Sequence, residues 1–425
     1  MNTPGALSPL PPQLPLLPIL PVTLTAHGLA CATGVGLGTL AAVLRAGGRA
    51  LTPLVRTDED ARTPLPTWVG RVPGVEAVVL PARLQAWDCR VTRLAWMGLQ
   101  ADGFFDAVMA ARERHGAHRV GLVLGTSAST IAVSEQAYRM PAEDGGFPLA
   151  LRQEGLNTLH GVSAFVHAAL CLQGPCVTVS TACSSSTKAF ALAERWLRLR
   201  RVDAVVVAGV DALCDSLLFG FHALQLVSPE PCQPFAAGRR GISVGEAAGY
   251  ALLQRGPGAI ELRGYGESND AHHMSSPHPQ GLGAERALDA ALARAGVAAH
   301  DIGYVNLHGT ATPRNDEVEA ALVARRYAPT VHASTTKGAT GHTMGAAGIV
   351  EALICTLALR DGLCSGSAGT GTVDAALGPV FAQQLHTQPA NGAVGPSQHG
   401  AVRLAASHSF GFGGNNAVLI FGRGA

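Results

Sequence analysis

The fold class is decided by the stretch CVTVSTACSSSTKAFALAERWLRLRR, residues 176–201. It begins with a short run rich in β-branched residues, Cys176-Val-Thr-Val-Ser180, which is typical of a strand. After a turn, apolar residues recur at helical spacing and predict one apolar helix face: Ala189, Phe190, Ala193, Trp196 and Leu197. A buried strand that leads directly into a helix indicates an α/β protein.

The neighbouring stretches extend this pattern in both directions. Arg119-Val-Gly-Leu-Val-Leu-Gly125 and Ala204-Val-Val-Val-Ala-Gly209 are continuous apolar runs, which favour strands buried on both faces of a parallel or mixed sheet. A second series in a similar order follows Gly256, with strands near 258–264, 303–308, 402–407 and 417–421 and helices near 284–295, 315–327 and 343–360. We therefore expect a structural duplication without a letter-by-letter repeat, in which two halves meet at one site.

Composition narrows the function classes. Only 14% of the 425 residues are charged, against about 25% in an average soluble domain, and 47% are apolar. This excludes global disorder and predicts a large core of small aliphatic residues. The net charge of +1 gives no reason to expect nucleic-acid binding. Nine scattered cysteines without a C-x-x-C pair indicate free thiols in a reducing compartment, hence a cytoplasmic protein.

The chain divides into three predicted parts. Residues 1–22 form a Leu- and Pro-rich leader, which we expect to be flexible because its prolines break any helix and no basic segment precedes it. Residues 23–257 and 258–425 are the two predicted halves. No other apolar stretch approaches the roughly 20 residues of a membrane span. We therefore expect a soluble protein.

Cys183 stands at the turn between the predicted strand and helix. The partial positive charge at a helix N-terminus favours thiolate, so we expect a lowered pKa. Unpaired backbone N–H groups at such a turn can also stabilise an oxyanion. The competing interpretation is a packed thiol, which is the common role of a buried cysteine.

Two histidines and a lysine are distinguished by their surroundings. His308 ends the predicted strand YVNLH and precedes the turn GTATP, and His342 lies in the Gly-rich loop KGATGH. Lys337, in the same loop, is one of only two lysines among 31 basic residues, which indicates a position that needs a compact ammonium group. Taken singly, each histidine could equally be a core or capping residue. His272, His273 and His278 have no carboxylate or cysteine at ligand spacing, so we expect no metal there.

Together these segments resemble the β-ketoacyl-(acyl carrier protein) synthases, the elongating condensing enzymes of fatty-acid and polyketide synthesis. The resemblance covers nearly everything after residue 23 and rests on four ordered motifs: TACSSS at 181–186, NLHGTATP at 306–313, KGATGH at 337–342 with GAAGIVEA at 345–352, and GFGGNN at 411–416. It implies the thiolase-like fold, with two α/β halves in five layers. It also implies decarboxylative condensation of an acyl group with malonyl-acyl carrier protein.

The resemblance assigns the catalytic roles. Cys183 is implied to carry the acyl group, with an oxyanion hole made by its own backbone N–H and that of Phe412. His308 and His342 are implied to hold the malonyl thioester carbonyl, with Lys337 beside them. We expect both histidines to matter more for decarboxylation than for acyl loading, because the helix activates Cys183.

Supporting and substrate-binding positions follow by the same motif matches. Glu351 is implied as the partner of Lys337, and Asp316 and Glu319 match the acidic pair after the first histidine. The implied substrate-binding residues are Thr310 and Thr312 at the phosphopantetheine arm, Phe221 in the acyl pocket, and Ala128 at the bottom of that pocket across a subunit interface.

The implied partners are acyl carrier protein and a second subunit, in a homodimer or in a heterodimer with a related ketosynthase-like chain. We expect neither a metal nor a dissociable cofactor, since the phosphopantetheine arm belongs to the carrier protein.

A weakly active or non-catalytic partner chain remains the alternative function, although such a chain usually lacks the nucleophile. A non-catalytic carrier-binding scaffold also stays open. Two related classes of enzyme fit less well. Thiolases have a second cysteine near the C-terminus, whereas no Cys follows Cys364 in this chain. Starter-type synthases have Asn at the position of His342.

Several positions depart from the family pattern, among them GEAAG at 245–249, where the family has GEGAG. Ala236 and Arg240 occupy two places that are acidic in the family, Asn415 replaces Thr, and His408 stands where Asn or Ser usually precedes the Gly-Phe turn. These departures favour a specialised pathway, such as aryl-polyene or related polyketide-type synthesis, over housekeeping fatty-acid elongation.

Overall fold

The computed structural model describes residues 18–54, 65–140, 143, 145–146, 148, 155–388 and 402–424. Most of the predicted leader, residues 1–17, lies outside the described residues. The strands are β1 Val22–Cys31, β2 Gly34–Val35, β3 Thr52–Pro53, β4 Trp68–Val69, β5 Val120–Gly125, β6 Cys176–Val179, β7 Ala204–Asp211, β8 Ala247–Arg255, β9 Ile260–Asn269, β10 Tyr304–Asn306, β11 His332–Ser334, β12 Leu404–Gly411 and β13 Asn415–Arg423. The α-helices are α1 Leu37–Arg45, α2 Arg90–Gln100, α3 Phe104–His115, α4 Ile131–Arg139, α5 Gly161–Ala169, α6 Ser185–Arg198, α7 Asp215–Ala223, α8 Leu282–Ala295, α9 Pro313–Arg326, α10 Lys337–Thr340, α11 Ala347–Asp361 and α12 Pro379–Gln384.

Ten strands of the main sheet form two five-strand units with the same topology, and the eleventh, β2, pairs with β1. In the N-terminal unit, β5 pairs in parallel with β6 and β7, β7 pairs antiparallel with β8, and β8 pairs antiparallel with β1. In the C-terminal unit, β10 pairs in parallel with β11 and β12, β12 pairs antiparallel with β13, and β13 pairs antiparallel with β9. The predicted duplication is confirmed at the level of strand order.

The two units join through one short antiparallel contact, where Val22 and Thr23 of β1 lie opposite Leu262 and Glu261 of β9. This contact makes the sheet continuous in hydrogen bonding. The exact division between residues 257 and 258 stays a prediction.

Side chains alternate between the two faces of each strand and define the layers. On β7, Val206 packs with the outer helices α2, α3 and α5, while Val205 packs with α6 and α11. On β13, Ile420 packs with α8 and α9, while Leu419 faces the same central helices as Val205. Helices α6 and α11 therefore form a middle layer between the two sheet units. This is the five-layer α/β arrangement that the resemblance implies.

The middle layer is tightly packed. Every residue of α11 from Ala347 to Leu359 is buried. The backbone N–H of Ile349 donates to Ser186 Oγ on α6 at 3.0 Å, which fixes the two helix N-termini against each other. The site described next lies at these N-termini. Among the described residues, no helix is long and apolar enough to cross a membrane.

Candidate active site

Cys183 lies between the end of β6 and the start of α6, as predicted, and is 6% exposed. The preceding residue, Ala182, has φ 52°, a conformation that costs energy for a residue with a side chain. Serines close the turn: Ser185 Oγ donates to the Ala182 carbonyl at 2.5 Å and accepts from Thr181 N–H at 2.9 Å. The serines of TACSSS therefore hold the strained turn that presents Cys183 to the cavity.

The two predicted histidines converge on this cysteine from the C-terminal half. His342 Nε2 lies 3.0 Å from Cys183 Sγ. The His308 and His342 rings are 5.5 Å apart and nearly perpendicular. One side-chain nitrogen of each histidine and the cysteine sulfur all lie within 4.8 Å of one another. One small acyl group can therefore contact all three side chains.

Lys337 lies behind His308 and is 2% exposed. Its Nζ is 3.4 Å from His308 Nδ1 and forms an ion pair with Glu351. Ser409 Oγ donates to the other Glu351 oxygen at 3.4 Å. Burial raises the pKa of Glu351 to about 7, and the nearby Lys337 charge opposes this rise.

Both histidines are neutral at physiological pH. Burial, followed by the charge of Lys337, holds the pKa of His308 and that of His342 well below the usual value. An ammonium group has only donors, so Lys337 donates to His308 Nδ1. The ring proton of His308 therefore resides on Nε2, where it can donate to a substrate carbonyl.

The lowered pKa that the sequence predicts for Cys183 is wrong. Burial raises the pKa of this thiol to about 11, and this outweighs the opposing effects of Lys337 and of the backbone N–H groups of Phe412 and Cys183. The helix N-terminus does favour thiolate, but the closed cavity around it disfavours charge more strongly. The Cys183 side chain is therefore a neutral thiol near pH 7.

The acidic pair supports the main chain around the site. Glu319 accepts hydrogen bonds from the backbone N–H groups of His308, at 2.8 Å, and Gly309, at 2.7 Å. Asp316 accepts from Phe235 N–H at 2.8 Å, and burial raises the pKa of Asp316 to about 7. Both carboxyl groups hold loops in place.

The Gly-Phe turn lies directly against the nucleophile. The backbone N–H groups of Cys183 and Phe412 both interact with the thiol and lower its pKa, against the larger effect of burial. Their role as an oxyanion hole stays a prediction. Gly413 and Gly414 have φ of 73° and 70°, so this turn needs glycine. Asn415 Nδ2 donates to the Phe412 carbonyl at 3.2 Å, and Lys188 Nζ donates to Asn415 Oδ1 at 3.0 Å.

Sequence reasoning missed Lys188. The available signal was its rarity, because Lys188 is the only lysine besides Lys337. It reaches Asn415, one of the positions that depart from the family pattern. At two further departures, Arg240 is exposed and Ala236 is buried, and the neighbouring Arg239 forms an ion pair with Asp374 at 2.6 Å.

Two cavities meet at Cys183. The first, of about 400 Å³, is also lined by both histidines, Thr310 and Thr312. The second, of about 370 Å³, is lined largely by apolar residues, including Leu217 and Met344. Phe221 and Phe412 line both cavities, with their rings 5.8 Å apart. This aromatic pair lies between the first cavity, here called the entrance cavity, which holds the two histidines, and the more apolar second pocket.

Ala128 is not brought into this group. It is 4% exposed, its N–H donates to Asp211 at 2.9 Å, and it is absent from the described lining of both cavities. Its neighbours Ser129, Thr130 and Val133 line a separate cavity of about 580 Å³. The role of Ala128 in acyl binding stays a prediction.

Two family models match the chain. The model described as "Beta-ketoacyl synthase, N-terminal domain" matches residues 21–259, and the one described as "Beta-ketoacyl synthase, C-terminal domain" matches residues 259–370. Together they span most of the chain and include the Cys183, His308 and His342 motifs.

Several similar proteins match most of this chain or a large part of it. Nodulation protein E of Rhizobium meliloti (strain 1021) is 31% identical and covers 94% of this chain and 98% of its own. The same organism's 3-oxoacyl-[acyl-carrier-protein] synthase 2 is 37% identical over 59% of this chain and 62% of its own. The solved ketosynthase (ApeO) in complex with its chain length factor (ApeC) from Xenorhabdus doucetiae has a TM-score of 0.84 and 34% identity, with 95% of this chain and 98% of that chain covered. The ishigamide ketosynthase/chain length factor has a TM-score of 0.80 at 26% identity, with 95% and 99% covered.

Proposed function

We propose which residue acts in each step of the reaction, given that the chain belongs to the β-ketoacyl synthase family and is a condensing acyltransferase with the thiolase-like fold. Cys183 carries the acyl group, and His308 and His342 stabilise the enolate formed from a malonyl thioester. The observation that carries the proposal is the convergence of the thiol and two neutral imidazoles on one cavity.

In the loading step, Cys183 Sγ attacks the carbonyl carbon of an acyl thioester. The S–H proton leaves as the C–S bond forms, and His342 Nε2, at 3.0 Å, is positioned to accept it. The backbone N–H groups of Cys183 and Phe412 stabilise the oxyanion. When the intermediate collapses, the donor thiol leaves with that proton. His342 therefore acts in loading as well as in condensation, in contrast to the emphasis expected from the sequence.

In the condensing step, a malonyl thioester occupies the entrance cavity. His308 Nε2–H, oriented by Lys337, donates to the thioester carbonyl, and loss of CO2 leaves an enolate. His342 stabilises the same enolate as its Nε2–H tautomer, so the proton that this ring carries on Nδ1 during loading first moves to Nε2 by exchange with water. The enolate carbon attacks the acyl carbonyl on Cys183, the C–S bond breaks, and the sulfur takes up one proton from the solvent. The products are CO2, a 3-oxoacyl thioester and the free thiol.

Acyl carrier protein is the proposed donor of both thioesters. Support comes from relatives named 3-oxoacyl-[acyl-carrier-protein] synthase and from the position of Thr310 and Thr312 along the entrance cavity. This chemistry needs no metal or dissociable cofactor of the enzyme's own.

A specialised polyketide- or polyene-type pathway and a cytoplasmic location complete the proposal. The solved relatives that pair a ketosynthase with a chain length factor support a heterodimer with a related chain. A non-catalytic role in such a pair is the second candidate, and the complete Cys-His-His group argues against it.

The test is intact-mass measurement after incubation with an acyl-carrier protein donor. The wild-type chain is expected to gain one acyl mass and Cys183→Ala none. The exposed Cys171 provides a matched control, because Cys171→Ala should load normally. Loading of Cys183→Ala would contradict the assignment. Addition of malonyl-carrier protein should then release a 3-oxoacyl product, and loading without condensation would favour the non-catalytic candidate.

A further inference from the structure

His408 lies in a buried polar chain behind His308. On β12, its side chain is fully buried, with Nε2 2.8 Å from the Tyr327 hydroxyl and Nδ1 3.1 Å from Glu319 Oε1. The carboxylate accepts, so Nδ1–H donates to Glu319. A second hydrogen bond joins Nε2 to the Tyr327 hydroxyl. One imidazole thus connects a hydroxyl to a carboxylate.

The carboxylate connects this chain to the catalytic loop. Its two oxygens accept from the consecutive N–H groups of His308 and Gly309. Gly309 has φ 37°, and a Cβ there would lie 2.7 Å from Thr335 Cβ, so the loop cannot shift freely. The orientation of Glu319 therefore determines where the His308 backbone lies.

A second contact reaches the His308 side chain. The His408 and Phe410 rings are 5.3 Å apart, and the Phe410 and His308 rings are 6.0 Å apart. Phe410 also lines the entrance cavity. His408 thus acts on His308 through the main chain on one side and through an aromatic ring on the other.

Tyr327 is itself anchored. The fully buried Gln384 donates through Nε2 to the Tyr327 carbonyl at 3.2 Å. This fixes the residue that follows α9, and with it the hydroxyl that faces His408. All side chains that connect Gln384 to His308 through Tyr327, His408 and Glu319 are buried.

We propose that Tyr327 and His408 are positioning residues that hold His308 in place for decarboxylation of the malonyl group. The inference rests on the proposed role of His308. It accounts for a histidine at a position where the family resemblance leads one to expect Asn or Ser. An Asn side chain can reach Glu319 from the place of Nδ1, but it is too short to replace Nε2 at Tyr327.

The experiment uses the full-length protein and separates the two half-reactions. Decarboxylation is followed as conversion of malonyl- to acetyl-carrier protein, and loading as acyl mass gained by Cys183. Tyr327→Phe and His408→Asn are each expected to lower kcat for decarboxylation about tenfold, the effect of one lost hydrogen bond, with KM and loading unchanged. The double variant should be no slower than His408→Asn, because the two side chains act as one unit.

Two controls make the result decisive. Tyr250→Phe removes another buried hydroxyl, whose partner is the Ala95 carbonyl in the outer layer, and should leave decarboxylation unchanged. His308→Ala should abolish most decarboxylation; if it does not, the proposed role of His308 fails, and this inference with it. If His308→Ala is impaired and Tyr327→Phe is not, the positioning role alone is overturned. Equal losses in both half-reactions, or a matching loss in Tyr250→Phe, would also overturn it.

Discussion

At the scale of single residues, reactivity in this site is set by the balance between a helix N-terminus and burial. The Cys183 thiol lies at a helix N-terminus, which lowers its pKa, and is buried, which raises it. Burial has the larger effect, so the pKa rises to about 11. A neutral imidazole lies at 3.0 Å and, in the mechanism we propose, accepts the proton when the thiol attacks. The nucleophile is activated during the reaction, so it stays protected from charge-dependent side chemistry at rest.

This balance predicts the pH dependence of alkylation. Thiolate is the reactive form, so the iodoacetamide reaction of Cys183 should accelerate about tenfold per pH unit from pH 7 to 9. No plateau is expected below about pH 10, because the pKa of the thiol is raised to about 11. Peptide mass spectrometry of the Cys183 peptide measures the rate, with the exposed Cys171 as internal reference for the reagent. A plateau below pH 8 would mean that the helix N-terminus prevails after all.

Residue identity was more predictable than residue environment. The motifs led to Cys183, His308, His342 and Lys337, which the structure brings together. The pKa of Cys183 was not predictable, because burial depends on which distant loops close over the thiol. The roles of Lys188 and His408 depend on partners 227 and 89 residues away, and no local pattern encodes those contacts.

At the scale of elements, the site depends on how closely α6 and α11 approach. A Cβ at Gly348 would lie 1.9 Å from Thr187 Oγ1 and 2.7 Å from Thr187 N. Since the second of these atoms is backbone, a side-chain rotation cannot relieve the contact. Glu351, the partner of Lys337, lies three residues further along α11.

We therefore predict that Gly348→Ala costs about 1–3 kcal/mol of unfolding free energy and lowers condensation, since the helices must separate. Chemical denaturation measures the first effect and product formation the second. Gly38→Ala is the matched control: this helical glycine is exposed, and a Cβ there would have no atom within 4 Å, so stability should not fall. Equal stability of Gly348→Ala and wild type would show that the middle layer is less tightly packed than described.

Elements were predicted in kind and order, but less well at their ends. The strand expected near 258–264 continues to Asn269, because its far end pairs with β13 up to Asn415. The strand expected near 303–308 is only Tyr304–Asn306, because the following residues turn toward the site. Strand ends are set by partners, which a single sequence does not specify.

At the scale of the whole molecule, the sheet ends in an open edge at β6. In the part of the chain that the structure describes, β6 pairs with β5 alone, and all four of its residues are half-buried. An unpaired strand edge is a template for another chain. Strand β6 ends at Val179, so a partner bound at this edge would lie beside the turn that holds Cys183.

We predict that the assembled protein, alone or with a related chain, uses this edge. Light scattering after size exclusion should give about twice the 43.6 kDa chain mass, and Val177→Arg should reduce it to the mass of one chain. Val380→Arg, at an exposed apolar residue of α12, is the control and should leave the mass unchanged. Dissociation by Val380→Arg, or a stable assembly with Val177→Arg, would place the interface elsewhere.

The burial of α11 from Ala347 to Leu359 has a consequence for how this protein unfolds. Because its apolar surface faces one sheet unit on one side and the other unit on the opposite side, separating the halves would expose an entire helix to water. Neither half is then a domain in the thermodynamic sense, despite the topology that they share. The molecule should melt in a single cooperative transition, and the alignment of thiol and imidazoles should persist up to the temperature at which the whole structure is lost.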